Sequence, residues 1–270
     1  MISFPICKIN LGLHIVGKRN DGYHNLETIF YPIALNDVLE IIQADTFSFK
    51  ATGIPVDGDP AKNLCVRAYD LLKQKFDLPP VYMHLHKAIP LGAGLGGGSS
   101  DGAATLLLLN QKFQLKLSPG ELIDLALQLG SDCPFFIINK PCIASGRGEI
   151  LQPIDVPALK GLKIIIVNPG IHVNTGWAFS QITPTAISHS LSDIIAQPIT
   201  TWKNVLKNDF EEAVFAAHPA IKNIKDQLYA QGALYASMSG SGASLFGIFN
   251  KNNIAELRLP ENYFVHQSDL

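Results

Sequence analysis

The residues from 90 to 104 form a glycine-rich stretch that runs into an apolar segment, Pro-Leu-Gly-Ala-Gly-Leu-Gly-Gly-Gly-Ser-Ser-Asp-Gly-Ala-Ala. Because glycine has no Cβ, such a stretch can turn sharply and bring backbone N–H groups close to an anion. The first turn of a helix adds N–H groups at the positive end of its dipole. The stretch therefore predicts a phosphate-binding loop in front of a helix, and a glycine-rich turn without a ligand is the alternative.

Two common phosphate-binding loops do not fit this stretch. A P-loop ends in Gly-Lys-Ser/Thr, but no lysine lies between Pro90 and Lys112. A dinucleotide-binding fingerprint is followed about 20 residues later by an acidic residue at the end of a second strand. Here the sequence Ser118-Pro-Gly-Glu121 occupies that region and indicates a capped helix start instead.

Composition indicates a globular protein that acts on a small molecule. The chain has 270 residues and 47% hydrophobic content, which is enough for one large domain or two of medium size. It has 21 basic and 23 acidic residues, so no net charge favours nucleic acid or an anionic membrane. We therefore expect no nucleic-acid or membrane partner.

The cysteines and the N-terminus indicate a cytoplasmic location. Four scattered cysteines, at positions 7, 65, 133 and 142, form no CxxC pair and are typical of reduced core thiols. The N-terminal residues lack a basic region followed by an apolar stretch, and no window approaches the length of a membrane helix.

Strand and helix patterns alternate through the first part of the chain. We expect strands at 37–42 and 81–86, with an amphipathic helix over 63–76 between them. A buried helix is expected over 103–109, and a third from a Ser118 cap to a Gly130 stop. Asp132 follows that stop and precedes a turn restricted by proline.

The second part of the chain has a different pattern. Residues 152–161 contain two prolines and a glycine, and we expect a domain boundary there. A buried strand is predicted at 162–167, a helix capped by Asp209 and a helix over 221–230, and then a strand from 243. Residues 180–200 show no clear period and indicate an irregular segment or a mobile flap.

Three motifs in this order resemble those of the GHMP small-molecule kinases. The first is a lysine-containing strand, Lys8-Ile-Asn10; the second is the glycine stretch; the third is Ser239-Gly-Ser-Gly-Ala243. Asp21-Gly-Tyr-His24 and Gly146-Arg-Gly-Glu149 further resemble the members of that family that act on a cytidine-diphosphate substrate. Together these motifs span nearly the whole chain.

The resemblance implies an α+β, two-domain GHMP kinase fold. Residues 1–155 would form an N-terminal ATP-binding and catalytic domain that is ribosomal-protein-S5-domain-2-like, and residues 156–270 a smaller ferredoxin-like C-terminal domain. It also implies transfer of the γ-phosphoryl group of ATP to a tertiary hydroxyl, in the non-mevalonate route to isoprenoid precursors, with Mg²⁺ accompanying ATP. The metal ligands and the oligomeric state are not apparent from the sequence.

The resemblance assigns the catalytic roles to Lys8 and Asp132. Asp132 would accept the hydroxyl proton as general base, and Lys8 would stabilise the ionising oxygen. By spacing alone, Asp132 is more typical of a turn or cap residue and Lys8 of a solvated surface lysine. The implied ATP-binding residues are Asn63, Pro90, Leu91, Gly92, Ala93, Gly94, Leu95, Gly96, Gly97, Gly98, Ser99 and Ser100.

Substrate contacts follow from the same resemblance. Tyr23 would stack on the cytosine ring, His24 would bind the pyrimidine edge, and Phe179 would form the opposite wall. Further substrate contacts are implied for Asn10, Thr175 and Gly240. A core tyrosine, a capped turn and a flap phenylalanine are the alternative interpretations of the aromatic positions.

Two positions depart from the family pattern, and two other functions remain open. Gly102 and Cys7 stand where alanine is more usual, and glycine inside a helix costs about 1 kcal/mol relative to alanine. The first alternative function is a GHMP kinase with a different hydroxyl acceptor. The second is an ATP-binding metabolite sensor that performs no catalysis.

Overall fold

The computed structural model describes residues 1–56, 58–185, 190–253 and 255–270. Its strands are β1 (Ile2–Ser3), β2 (Ile6–Lys18), β3 (His24–Asn36), β4 (Val38–Gln43), β5 (Ser48–Gly53), β6 (Val81–Lys87), β7 (Cys142–Ser145), β8 (Ile150–Pro153), β9 (Leu162–Asn168), β10 (Tyr235–Met238), β11 (Leu245–Asn250) and β12 (Phe264–Asp269). Its α-helices are α1 (Leu64–Lys73), α2 (Gly97–Lys112), α3 (Pro119–Leu129), α4 (Cys133–Ile138), α5 (Thr175–Ser180), α6 (Leu191–Ile195), α7 (Ile199–Val205), α8 (Glu211–Ala217) and α9 (Pro219–Ala230).

The chain divides into two compact units that interleave along the sequence. The first unit comprises Met1–Cys7, Ala34–Leu91 and Gly96–Lys140, and the second comprises Lys8–Ile33, Gly92–Leu95 and Pro141–Leu270. The second unit therefore combines an N-terminal hairpin, formed by β2 and most of β3, with the C-terminal half of the chain. The domain boundary expected between residues 155 and 156 stays a prediction.

The first unit packs helices against one face of a four-stranded sheet. The strand order is β1-β4-β6-β5, in which β5 and β6 pair in parallel and the other neighbours are antiparallel. The predicted alternation in β6 is confirmed, since Val81, Met83 and Leu85 are buried. They join residues of α1, α2 and α3 in one apolar core.

The second unit contains two four-stranded sheets, ordered β2-β3-β7-β8 and β10-β11-β9-β12. Its core is built from β2, the buried strands β9 and β11, and the apolar faces of α8 and α9. The predicted strand at 162–167 is confirmed as β9, whose central residues are buried. The helix predicted over 221–230 is confirmed as α9, and Gly232 follows it with a φ of +88°.

The helix after the glycine stretch begins earlier than the sequence predicted. Its apolar residues start at Ala103, but α2 begins at Gly97 and includes the serines. Gly102 therefore lies in the second turn rather than the first. An added Cβ there would lie 3.0 Å from Leu64 Cβ in α1, so the glycine allows the two helices to approach closely.

A capping box marks the start of α3, and a proline in the first turn marks the start of α4. The predicted Ser118 cap is confirmed, and Glu121 completes a capping box with it. The expected turn after Asp132 is instead a helix: Pro134 lies in the first turn of α4, where proline is tolerated because its missing N–H has no helical partner. Asp132 occupies the N-cap position of that helix.

The helix cap predicted at Asp209 is wrong. Asp209 does not cap α8, whose N-cap position is Phe210; the Asp209 carboxylate instead accepts a hydrogen bond from Ile15 N at 2.8 Å in β2. The Asp209 carboxylate thus binds a distant strand instead of capping the neighbouring helix.

The stretch from 180 to 200 is also not irregular throughout. It contains α6 and the start of α7, because Ser190 caps α6 and the buried Leu191, Ile194 and Ile195 hold it. The part of this stretch from 186 to 189 lies outside the described residues. In the described part of the chain, no helix is both long enough and apolar enough to cross a membrane.

Candidate active site

The carboxamide of Asn10 joins two of the sequence motifs in the second unit. Its Oδ1 accepts hydrogen bonds from Lys8 Nζ at 2.6 Å and from Gly240 N at 3.0 Å. Its Nδ2 donates to Thr28 Oγ1 at 3.0 Å, and Thr28 in turn donates to a backbone carbonyl in β2. Lys8, Asn10 and Thr28 are buried, so these bonds form out of contact with water.

Ser239 connects the same cluster to the glycine stretch. Its Oγ donates to Gly94 O at 2.8 Å and accepts from Asn10 N at 3.3 Å. Lys8 Nζ lies 3.3 Å from the same Gly94 carbonyl oxygen. The structure thus brings together four predicted site residues, Lys8, Asn10, Gly94 and Gly240, from three segments that are distant in the sequence.

The backbone at Gly94 allows this approach only because it lacks a side chain. Gly94 has a φ of +77°, and a Cβ built on it would lie 2.0 Å from the carbonyl oxygen of Ser239. Gly240 crosses at the same point, with its own Cβ position 3.0 Å from Gly94 Cα. Glycine at these positions is required both by conformation and by space.

Lys8 carries a positive charge into this buried cluster. Its ammonium lies 4.8 Å from the centre of the Phe30 ring and is hydrogen-bonded to Asn10 Oδ1. A cation over an aromatic face gains favourable electrostatic energy, and more of it when water is excluded. The alternative interpretation of Lys8 as a solvated surface residue is therefore wrong.

Tyr23 presents a partly exposed ring at the turn between β2 and β3. The side chain is 56% exposed, and the guanidinium of Arg147 lies 5.0 Å from the ring centre. Asp21 orders this turn by accepting from Tyr23 N, and that hydrogen bond lowers the pKa of Asp21 below its ordinary value. A ring with one face against Arg147 keeps its other face for stacking. The alternative interpretation of Tyr23 as a core residue is wrong.

His24 and Phe179 form a second aromatic pair in the same unit. Their ring centres are 4.9 Å apart with an interplanar angle of 20°, and Phe179 also meets Phe210 edge-on. Phe179 lies on α5, whose first residue, Thr175, has its Oγ1 3.0 Å from Ser241 Oγ. Predicted substrate-binding residues on β3 and α5 thus meet directly, and Thr175 reaches the third motif.

The remaining residues of the glycine stretch form a turn and the start of α2. Residues 91 to 95 form the turn, in which Ala93 and Leu95 point inward. Gly96 is the N-cap with a left-handed φ of +71°, and Ser100 N makes a helical hydrogen bond to Gly96 O at 2.9 Å. The N–H groups of Gly97, Gly98 and Ser99 precede that bond, so they have no partner within the helix and can serve an anion.

Asp132 lies next to this helix start in the first unit. Cys133 packs against α2, and the hydroxyl of Ser99 hydrogen-bonds its thiol. Burial, the larger effect, still raises the pKa of Cys133 to about 12. Within the described residues, the Asp132 side chain makes no capping hydrogen bond to α4, although it holds the N-cap position. The interpretation of Asp132 as a helix-capping residue is therefore not supported by a hydrogen bond from α4 to its side chain.

Asn63, predicted to contact the nucleotide, is the N-cap of α1. Its Oδ1 accepts from Cys65 N at 2.9 Å, which fixes the carboxamide in place. Its role toward a nucleotide stays a prediction. So does the expected meeting of Lys8 with Asp132, which belong to different compact units.

Sequence reasoning left several site residues without a role. Ser239, Thr28 and Arg147 contact predicted site residues. Ser239 and Arg147 lie within motifs that resemble the family's, but the sequence assigned their side chains no role, and Thr28 lies outside every motif. Lys87 at the end of β6 was also overlooked, although it lies close to the glycine stretch. A signal existed there: a lysine and an aspartate that flank a glycine stretch, in otherwise apolar segments, indicate a buried ion pair. A cavity of about 790 Å³ beside Lys207 and Asp209 includes none of the predicted site residues.

Comparison with known proteins places the chain in a family. Residues 63–140 match the GHMP kinase N-terminal domain and residues 190–261 match the GHMP kinase C-terminal domain. A relative from Bacteroides fragilis is 53% identical over 93% of this chain and 92% of its own length. One from Cytophaga hutchinsonii is 52% identical over 93% of each chain. The chain therefore belongs to the GHMP kinases, and it is an ATP-dependent small-molecule kinase.

The names of these relatives indicate which branch of the family the chain is similar to. Both are named 4-diphosphocytidyl-2-C-methyl-D-erythritol kinase. A crystal structure of 4-(cytidine 5'-diphospho)-2C-methyl-D-erythritol kinase superimposes with a TM-score of 0.79 at 31% identity, covering 92% of this chain and 90% of that one. The expected GHMP kinase fold is confirmed by this similarity.

The close crossing at Gly94 yields a mutational prediction. Gly94→Ala adds a Cβ where Ser239 O already lies, so we expect the free energy of unfolding to fall by about 2 kcal/mol or more. Urea denaturation measures this change.

The matched control is Gly120→Ala in α3. An added Cβ there meets nothing within 4 Å, and stability should be unchanged or slightly higher. Equal stability of the two variants would contradict the assigned crossing.

Proposed function

We propose that the protein transfers the γ-phosphoryl group of ATP to the 2-hydroxyl of 4-diphosphocytidyl-2-C-methyl-D-erythritol, in the non-mevalonate route to isoprenoid precursors. The observation that carries this proposal is the Asn10 cluster, which holds a buried ammonium beside the glycine stretch and the third motif. The relatives' names support the choice of acceptor.

The triphosphate is bound by the glycine stretch and the start of α2. Backbone N–H groups from Gly97 onward meet its oxygens at the positive end of the helix dipole. The hydroxyls of Ser99 and Ser100 lie at the same end, and Pro90 to Gly96 shape the approach. Asn63 contributes a contact to the nucleotide. These are the ATP-binding roles that the resemblance implies.

Mg²⁺ arrives with ATP as part of the substrate. Among the described residues, no group of three or more His, Cys, Asp or Glu side chains is arranged to hold a metal ion. Mg²⁺ typically keeps several waters and binds through substrate phosphates plus one or two protein oxygens. The donor set of this chain fits an ion held mainly by the triphosphate, with serine hydroxyls at the start of α2 nearby.

The acceptor is activated by Asp132 and Lys8. The Asp132 carboxylate takes the proton of the hydroxyl, whose oxygen then attacks the γ-phosphorus while the bond to the bridging oxygen breaks and ADP leaves. The Lys8 ammonium stabilises the negative charge that develops on the attacking oxygen. Asn10 keeps Lys8 in position through its 2.6 Å hydrogen bond.

The cytidine end of the acceptor is recognised by aromatic side chains. The Tyr23 ring face opposite Arg147 stacks on cytosine, a contact worth on the order of 1–3 kcal/mol. His24, supported by Phe179, hydrogen-bonds the pyrimidine edge. Thr175 and Gly240 contact the remaining part of the substrate, next to the third motif.

A panel of acceptors tests this function. With Mg²⁺ and ATP, we expect ADP release to depend on 4-diphosphocytidyl-2-C-methyl-D-erythritol and to be absent with homoserine, mevalonate or galactose. Turnover confined to an alcohol without cytidine would instead identify a GHMP kinase with another acceptor. ATP binding without turnover of any acceptor would identify a metabolite sensor.

Asp132→Asn tests the assigned general base. The variant keeps the size and the helix position but cannot take a proton, so we expect kcat to fall by about 10²- to 10⁴-fold. The dissociation constant for ATP, measured by calorimetry, should change by less than about threefold, since no ATP contact is assigned to Asp132. Near-normal turnover in this variant would remove Asp132 from the mechanism.

A further inference from the structure

The ammonium of Lys87 lies in the interior of the first unit, and its side chain is 1% exposed. Its Nζ donates to Asp101 Oδ2 at 2.8 Å and to Asp37 Oδ2 in a second, short contact. The side chains of Asp37 and Asp101 are 0% and 4% exposed. Buried charges persist when they are paired, so these three side chains act together, and we call them the ion cluster.

Asp37 fixes the chain immediately before the glycine stretch. Its Oδ1 accepts hydrogen bonds from Ala88 N at 2.6 Å and Ile89 N at 2.9 Å. Ile89 is buried and directly precedes Pro90. Hydrogen bonds from two successive amides to one carboxylate hold this backbone in a single conformation, so one end of the stretch is anchored.

Asp101 fixes the start of α2, within the glycine stretch. It lies in the second turn of α2, and its carboxylate meets the same ammonium. Lys87 Nζ also lies 3.3 Å from the position that a Cβ on Gly97 would occupy, so the cation lies against the first residue of α2. The chain before Pro90 and the start of α2 are therefore joined through one buried lysine.

We propose that Asp37, Lys87 and Asp101 are positioning residues, whose ion cluster sets the geometry in which the glycine stretch and the start of α2 receive the triphosphate. This proposal rests on the proposed function for the identity of the ligand. The anchoring itself is a property of the unliganded chain and can be tested separately.

The charge of the ion cluster depends on pH. Burial raises the pKa of Asp101 to about 8; Lys87 opposes this shift and the neighbouring Asp37 carboxylate adds to it. Within the described residues, Asp101 Oδ1 is buried without a hydrogen-bond partner, which also disfavours the ionised form. Below about pH 8 the Asp101 carboxyl is therefore mainly uncharged. Above that pH the ion cluster gains a negative charge close to the start of α2.

The other groups that face the ion cluster keep their charge state through this range. Burial lowers the pKa of Lys87, but the two carboxylates outweigh it and the net shift is upward, so the ammonium stays charged. The Cys65 thiol of α1 faces the same charges, and burial raises its pKa far above the ordinary value. Burial thus places the pKa of Asp101, about 8, between pH 7 and 9.

The pH dependence of ATP binding tests the ion cluster. For the wild-type protein we expect the dissociation constant for ATP to rise about tenfold from pH 7 to 9, since the new charge repels the triphosphate. Asp101→Asn cannot ionise and should show a flat profile, with the KM of the acceptor unchanged. Asp124→Asn, an exposed position on α3, should follow the wild type. Superimposable profiles of Asp101→Asn and wild type would overturn the proposal.

Hydrogen–deuterium exchange without ATP tests the anchoring independently of function. Lys87→Met removes the shared cation, and we expect the hydrogen-bonded amides 100 to 103 of α2 to exchange at least about tenfold faster while those of α3 keep their rate. Unchanged exchange at those amides would overturn the positioning role. If the wild type bound no ATP, the proposed function would fail, yet this exchange measurement would still decide whether the ion cluster holds the helix start.

Discussion

The hydrogen bonds of one buried carboxamide, that of Asn10, determine where the functional groups of the second unit lie. Asn10 Oδ1 accepts from the Lys8 ammonium and from the backbone of Gly240, while Asn10 Nδ2 donates to Thr28 Oγ1. A buried carboxamide that lost these partners would be costly, since its polar atoms have no water to replace them. The cluster therefore forms completely or not at all, and the position of Lys8 depends on it.

The first unit uses a different interaction for the same purpose. There the segment before the glycine stretch and the start of α2 are held by the Lys87 ammonium, which hydrogen-bonds to both Asp37 and Asp101. Placing rigid anchors around a flexible glycine segment reduces the conformational freedom that ligand binding would otherwise have to remove. Its glycine content would allow this stretch many conformations, and the contacts of Asp37, Lys87 and Asp101 restrict them.

Local patterns in the sequence predicted most of the fold. The alternation of Val81, Met83 and Leu85 and the Ser118 capping box have causes within a few residues, and both predictions are confirmed. The failures have causes that are distant in sequence. Asp209 bonds to β2 instead of capping α8, and Gly102 is set by the approach of α1.

The residues of the candidate site likewise include some that local motifs identified and others that only distant contacts explain. The glycine stretch and the Lys8 strand were found because motifs of several residues carry their own signal. Ser239, Thr28 and Lys87 were missed as functional residues, because their roles arise only when the fold places them against Asn10 or between Asp37 and Asp101. Spacing within the sequence cannot specify contacts between segments that meet only in the folded chain.

A double-mutant cycle between Asn10 and Ser239 most directly tests the claim that this carboxamide joins the motifs. The unfolding free energies of Asn10→Ala, Ser239→Ala and the double variant would be measured by urea denaturation. Because Ser239 Oγ lies 3.4 Å from Asn10 Oδ1 and the two side chains share one buried hydrogen-bonded cluster, a coupling energy of about 1 kcal/mol or more is predicted. Effects that add to within about 0.3–0.5 kcal/mol would contradict it.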